Sequence, residues 1–239
     1  MARNQMAPSP TARFLIVLDV DSTLIENEVI ELLADAAGSG VRVAEITVRA
    51  MNGELDFEDS LRERVATLAG LPVSVFDSVA GRIRITAGAP AMIDGVHAAG
   101  GRVAVVSGGF HALIDPLAAQ LGLDYWRANR LEVIGGRLTG GLIGPIVDAR
   151  AKAATVTEWA ADFGVPLGQT IAVGDGANDL PMMAITGLSV AFDAKAPVRD
   201  EADLIMDVRD LRQLLPLIGC AGQCPMPRPP STGMTAPEM

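Results

Sequence analysis

Four short apolar runs constrain the fold more than any other feature of the sequence. Residues 13–19, 102–106, 170–173 and 188–191 are rich in aliphatic and β-branched side chains. Within a residue or two each gives way to Gly, Asp or Ser, so each reads as a short strand buried on both faces. Stretches of helical character separate them, at 89–99, 110–120, 150–163 and 180–185. Strand and helix in alternation predict a parallel sheet with helical crossovers. Residues 131–142 differ: a GGR between two β-like runs predicts a hairpin.

One segment breaks the alternation. Residues 26–88 have helical periodicity and no strand candidate: Val43, Ile46 and Ala50 share one face, and Phe57, Leu61, Val65 and Leu68 form another stripe. Their first part, 26–64, carries more acidic than basic side chains, so its outer surface is expected to be acidic. The fold class expected is therefore α/β: a Rossmann-like parallel sheet flanked by helices, with a small helical cap domain inserted after the first strand. The core domain is expected at 13–25 and 89–218, and the cap at 26–88. A frayed N-terminus is expected at 1–12 and a flexible Pro-rich tail at 219–239.

Composition excludes several classes of function. The 49% hydrophobic content suffices for a sizeable core, and the net charge of −10 argues against nucleic acid or an anionic membrane as partner. No apolar run approaches the roughly 18 residues that would span a bilayer, and Asp19 interrupts any secretory segment near the start. Cys220 and Cys224 have no second Cys/His pair to complete a zinc site, and His97 and His111 are the only histidines. Neither Lys152 nor Lys195 follows a P-loop, no serine sits in GxSxG, and no GxGxxG follows a strand. A soluble, cytoplasmic protein is expected. The sequence is silent on oligomeric state.

The polar clusters carry the chemistry. Asp19-Val20-Asp21-Ser22-Thr23 follows the first strand, Ser107-Gly108-Gly109 the second, and Gly174-Asp175-Gly176-Ala177-Asn178-Asp179 the third. Lys152 lies near the start of the helix leading into that third strand. Ligands of open α/β sheets bind at the carboxyl ends of strands, so these clusters converge by connectivity alone. Asp19, Asp21, Asp175 and Asp179 together would repel one another, and a hard cation such as Mg²⁺ relieves that repulsion. Ser107, Lys152 and the amides around Gly108 would hold an anion. A cation beside an anion cradle, with a free carboxylate between them, describes phosphoryl transfer through a phosphoaspartate. Asp19, at the strand end, is the candidate nucleophile; Asp21, two residues on, is the candidate general acid and base.

These residues resemble the phosphoserine phosphatases of the haloacid dehalogenase superfamily. DVDSTL matches the family's DxDxT motif, VVSGGF its second motif, Lys152 its third and VGDGANDLPMM its fourth. ENEVIE, AMNGELDFEDSLRERV and ANRLEV are similar to segments of the phosphoserine-specific members, and the likeness runs over about residues 13–218. A regulatory domain that precedes the core in some relatives is expected to be missing. The resemblance implies that Asp19, Asp175 and the backbone carbonyl of Asp21 hold Mg²⁺. It gives phosphate binding to Ser107, Gly108 and Lys152, with Asn178 and Asp179 completing the site. It further implies that Glu28 and Arg64 read the ammonium and carboxylate of O-phospho-L-serine, while Met51 and Phe57 line the closed pocket. Arg62, beside Arg64, is an alternative partner for that carboxylate. The activity implied is Mg-dependent hydrolysis of O-phospho-L-serine to L-serine and phosphate, the last step of serine biosynthesis. Another small phosphoester such as phosphohomoserine, transfer to an alcohol acceptor, and a phosphoaspartate signalling module are the alternatives.

Overall fold

The computed structural model describes residues 12–218, so the expectations for the extreme N-terminus and the Pro-rich tail lie outside the described residues. Ala12 is the exception: it was expected in the frayed end. It is buried and donates its N–H to the carbonyl of Phe163, because a small apolar side chain there extends the packing under the first strand.

The chain begins with β1 (Leu15–Leu18), after which come α1 (Val29–Ala37), α2 (Gly40–Met51), α3 (Phe57–Ala66) and α4 (Val75–Ala80). Helix α5 (Ala89–Ala98) leads into β2 (Arg102–Phe110), α6 (His111–Leu121) and the hairpin β3 (Tyr125–Ile134) and β4 (Arg137–Ile143). There follow α7 (Ala149–Phe163), β5 (Thr170–Gly174), α8 (Leu180–Ala184), β6 (Leu188–Phe192), α9 (Ala196–Glu201), β7 (Leu204–Met206) and α10 (Leu215–Ile218). The strands lie in the order β4-β3-β2-β1-β5-β6-β7, all parallel except β4 against β3.

The continuous LIVL of β1 follows from burial on both faces. Ile16 and Leu18 pack with residues of α1, α5 and α6, while Leu15 and Val17 pack with α7 and α8. The chain leaves β1 toward β2 on one side and returns to β5 on the other, which makes the carboxyl end of β1 the topological switch point.

Besides the three-residue β7, which the sequence reading lacks, two strands differ from it. β2 does not end at Val106 but continues through Ser107-Gly108-Gly109 to Phe110, placing that motif on strand rather than loop. β3 begins at Tyr125: its first residues pair parallel with Ala104–Val106, and its later ones form the antiparallel hairpin. Tyr125, Trp126 and Arg127 are half-buried and mixed in polarity, so no apolar run marks them.

Residues 26–88 hold α1 to α4 and no strand. The segment leaves and rejoins the core through a narrow neck: Ile25 bridges Ile85, Glu26 N–H donates to Arg84 carbonyl at 2.8 Å, and Thr86 N–H to Leu24 carbonyl at 3.0 Å. Farther out it meets the hairpin. Gly70 N–H donates to Leu138 carbonyl and Leu138 N–H to Leu71 carbonyl, both at 2.8 Å. Asp56 caps α3 by accepting from Asp59 N–H, which sets Phe57 at the helix start and directs it toward the sheet.

Candidate active site

Lys152 lies at the centre of the switch point, and Asp148 fixes the start of its helix by accepting from Ala151 N–H. The lysine side chain is fully buried, with its Nζ 2.8 Å from Asp19 Oδ1 and 2.7 Å from Asp179 Oδ1. Burial alone would pull this ammonium down, but Asp179 and Asp19 more than offset that and hold it above its ordinary value. The Asp19 carboxyl is pushed up, first by burial and then by repulsion from Asp179, with Lys152 opposing both. The backbone places Asp19 by donating its N–H to Val173 carbonyl on β5, and its Oδ1 accepts from Val20 N–H at 2.7 Å.

Residues Val20–Leu24 form a tight turn in which Ser22 takes a left-handed backbone with φ 57°. That turn brings three side chains onto neighbouring elements. Asp21 Oδ1 accepts from Val29 N–H at 2.9 Å, at the start of α1. Ser22 Oγ donates to Glu28 Oε1 at 2.7 Å, and Thr23 Oγ1 approaches Asp175 Oδ1 at 3.4 Å. Burial, followed by repulsion from Glu28, pushes the Asp21 carboxyl up to about 7. Burial, then Asp179, raises Asp175 to about 6.

Carboxylate oxygens of Asp19, Asp175 and Asp179 lie within 4.8 Å of one another. Three clustered acids sharing the single Lys152 ammonium fit a hard divalent ion with oxygen ligands. Asp179 is committed to Lys152 through Oδ1 and to Gly176 N–H through Oδ2 at 3.2 Å. That leaves Asp19 and Asp175 as the side chains with oxygens to spare. Asn178 is half-buried in the same turn, its Oδ1 against Gly176.

Ser107 is buried at the end of β2, where its Oγ accepts from Gly109 N–H at 2.8 Å. One lone pair is engaged by that bond, and the hydroxyl proton remains available to an anion. Gly108 faces the cap: a Cβ there would stand 3.1 Å from the ring tip of Phe57. The structure thus brings together Asp19, Asp21, Glu28, Phe57, Ser107, Gly108, Lys152, Asp175, Asn178 and Asp179 around one strand edge.

The two candidate arginines are separated. Arg62 is exposed and donates its Nε to Glu58 at 3.0 Å. Arg64 is half-buried, donates Nε to Ser60 carbonyl, and lies in the field of Glu28, Asp21 and Glu31; burial lowers its proton affinity. Met51 is not in an enclosed pocket: it ends α2 with 75% of its surface exposed, because it lies off the helix face that Val43 and Ile46 bury.

Asn129 was missed as a site residue although ANRLEV marked its surroundings. It is 1% exposed, donates Nδ2 to Gly108 carbonyl at 2.8 Å and accepts Val147 N–H at 2.8 Å. It thereby joins the β2 motif to the segment that carries Lys152. His97 pairs with Asp124 and His111 with Asp115, and neither touches the carboxylate cluster in any of its hydrogen bonds.

Comparison with known proteins agrees with this geometry. The family model of haloacid dehalogenase-like hydrolases matches residues 16–184, and the chain belongs to that family. Within it the chain is similar to phosphoserine phosphatases. That of Streptococcus thermophilus is 51% identical over 209 residues, which are 87% of this chain and 97% of the relative. A solved phosphoserine phosphatase described as a phospho-aspartyl intermediate analogue superposes with a TM-score of 0.80 at 43% identity, covering 85% of this chain and 97% of that one. A substrate-bound complex of phosphoserine phosphatase gives the same score, identity and coverage. Among the described residues no helix is long and apolar enough to cross a membrane.

Proposed function

We propose that the chain is an enzyme that hydrolyses O-phospho-L-serine to L-serine and phosphate through a phosphoaspartate on Asp19. The observation that carries this reading is the buried Lys152 ammonium shared by Asp19 and Asp179, with Asp175 beside them. It presents one carboxylate to an anionic phosphoryl group while neutralising the repulsion between them.

In the first half-reaction Asp19 attacks phosphorus, and the seryl oxygen leaves with a proton from Asp21. With a pKa of about 7, Asp21 populates both its acid and its base form at neutral pH and can give the proton and take it back. Asp21, now ionised, takes a proton from water as it attacks the aspartyl phosphate, releasing phosphate and restoring Asp19. Lys152, Ser107 Oγ and the backbone at Gly108 bind the phosphoryl oxygens. Asp19, Asp175 and the Asp21 carbonyl would hold Mg²⁺, which supplies further positive charge to the transferring group when bound. Glu28 receives the substrate ammonium and Arg64 its carboxylate, with the guanidinium fork matching the latter. Phe57 excludes water above Gly108. This activity corresponds to the last step of serine biosynthesis.

The test is phosphate release from O-phospho-L-serine, phosphohomoserine, phosphothreonine and an aryl phosphate, with and without chelator. The expected result is a strong preference for phosphoserine, lost with chelator and in Asp19→Asn. Equal or better rates on the others would discard the substrate, and phosphoenzyme still forming in Asp19→Asn would discard the nucleophile.

A further inference from the structure

Among the described residues only Ser22 and Asp193 are non-glycine residues with positive φ, at 57° and 45°. One guanidinium joins them. Arg209, in the loop after β7, donates Nη2 to the Ser22 carbonyl at 2.8 Å and pairs Nη1 with Asp193 Oδ2 at 3.2 Å. Its Nε is buried without a hydrogen-bond partner, so the side chain keeps this pose although one donor goes unsatisfied.

A left-handed backbone is unfavourable for any residue with a Cβ and persists only where its surroundings over-determine it. Ser22 occupies that conformation between Asp21 and Thr23. The Ser22 carbonyl and the Thr23 N–H belong to one planar peptide, so a bond to the former fixes the orientation of both. On the other side of the turn, Asp21 keeps its carboxyl on Val29 N–H and Ser22 keeps its hydroxyl on Glu28. Asp193 is itself anchored, its N–H donating to Met206 carbonyl at 2.8 Å. Arg209 thus ties the turn that presents Asp21 to the far side of the sheet.

We infer that Arg209 is a positioning residue for proton delivery: it holds the Ser22 turn so that the Asp21 carboxyl meets the leaving oxygen. The inference rests on the role proposed for Asp21. It has a signature that simple loss of stability lacks. An alkoxide such as that of serine leaves poorly without a proton, whereas p-nitrophenolate leaves without one.

The experiment measures kcat/KM for O-phospho-L-serine and for p-nitrophenyl phosphate in the full chain and in Arg209→Ala and Arg209→Lys, with Mg²⁺ present. In Arg209→Ala the value for phosphoserine is expected to fall by about tenfold or more, and that for the aryl ester by no more than about twofold. Arg209→Lys, which retains a cationic donor, should recover part of the phosphoserine rate. A parallel loss on both substrates would reduce Arg209 to a structural brace and overturn the inference, as would no loss on either. If the unaltered protein cleaves aryl but not seryl phosphate, the substrate reading fails by itself. The same comparison then runs on whichever alkyl phosphate it accepts.

Discussion

Lys152 and Asp19 form a buried ion pair at 2.8 Å in which the cation has no exposed surface and a second anion, Asp179, on its other side. A single ammonium therefore fixes the nucleophile and ties it to the turn after β5. Lys152→Met keeps the volume and removes the charge. Two carboxylates are then buried without a counter-charge, and a broken buried pair costs about 3–5 kcal/mol. Thermal or denaturant unfolding should show that loss, together with a fall in kcat/KM of roughly a hundredfold or more. Unchanged stability would mean that the buried ion pairs contribute nothing to folding.

The glycines after Ser107 should respond differently to one added methyl. At Gly109 a Cβ would lie 2.9 Å from Asp21 Oδ2 and 2.9 Å from Val29 Cγ2, so the general acid itself must move. At Gly108 it would lie 3.1 Å from the tip of Phe57, which can give by a few tenths of an ångström. Gly109→Ala is expected to lower kcat by about tenfold or more, while Gly108→Ala acts mainly on KM. Steady-state kinetics on phosphoserine would reverse this ordering if the ring is the more rigid neighbour.

Stability of the metal-free protein should fall as the pH rises through neutrality. From the ordinary 3.8, burial and then Glu28 raise Asp21 to about 7. Burial and then Asp179 raise Asp175 to about 6. The folded state consequently binds protons that the unfolded chain has already released, and stability is lost from about pH 4 up to about pH 7. In chelator, the melting temperature is expected to be higher at about pH 5.5 than at about pH 8, with Mg²⁺ restoring more at the higher pH. The opposite order would show that these carboxyls titrate normally.

Asn129 gives a prediction about the scaffold. Asn129→Leu preserves size but leaves the Gly108 carbonyl and the Val147 N–H without their partner, at about 1–3 kcal/mol for each buried group. Denaturant unfolding reads the loss, and a raised KM would accompany it because Gly108 belongs to the phosphate cradle. A neutral substitution would require both groups to find water.

The sequence revealed most where one physical pressure acted on many residues. β1, β2, β5 and β6 are buried on both faces, so aliphatic runs marked them, and the acids after them stood out as breaks in apolar sequence. Lys152 was legible only through its spacing, since nothing in a lone lysine announces that it will be wholly buried. The first residues of β3 carry no apolar run, and β7 spans too few residues to show a period. Arg209 and Asn129 act through bonds to groups far away in the chain, and no local pattern encodes such a bond. Met51 shows the converse: an apolar residue within a matching segment still faces solvent.

The paired neck of the helical segment changes what its length means to the rest of the molecule. With Glu26 bonded to Arg84 and Ile25 bridged to Ile85, the two points of attachment are held side by side whatever lies between them. Closing a flexible loop costs only logarithmically more as it grows, and here the ends are already joined. As far as the entropy of joining the two ends goes, everything beyond the neck is equivalent to a short hairpin. The sheet and its carboxylates can therefore remain one module while the helices above them are lengthened, trimmed or exchanged, so selectivity can diverge without rebuilding the chemistry below.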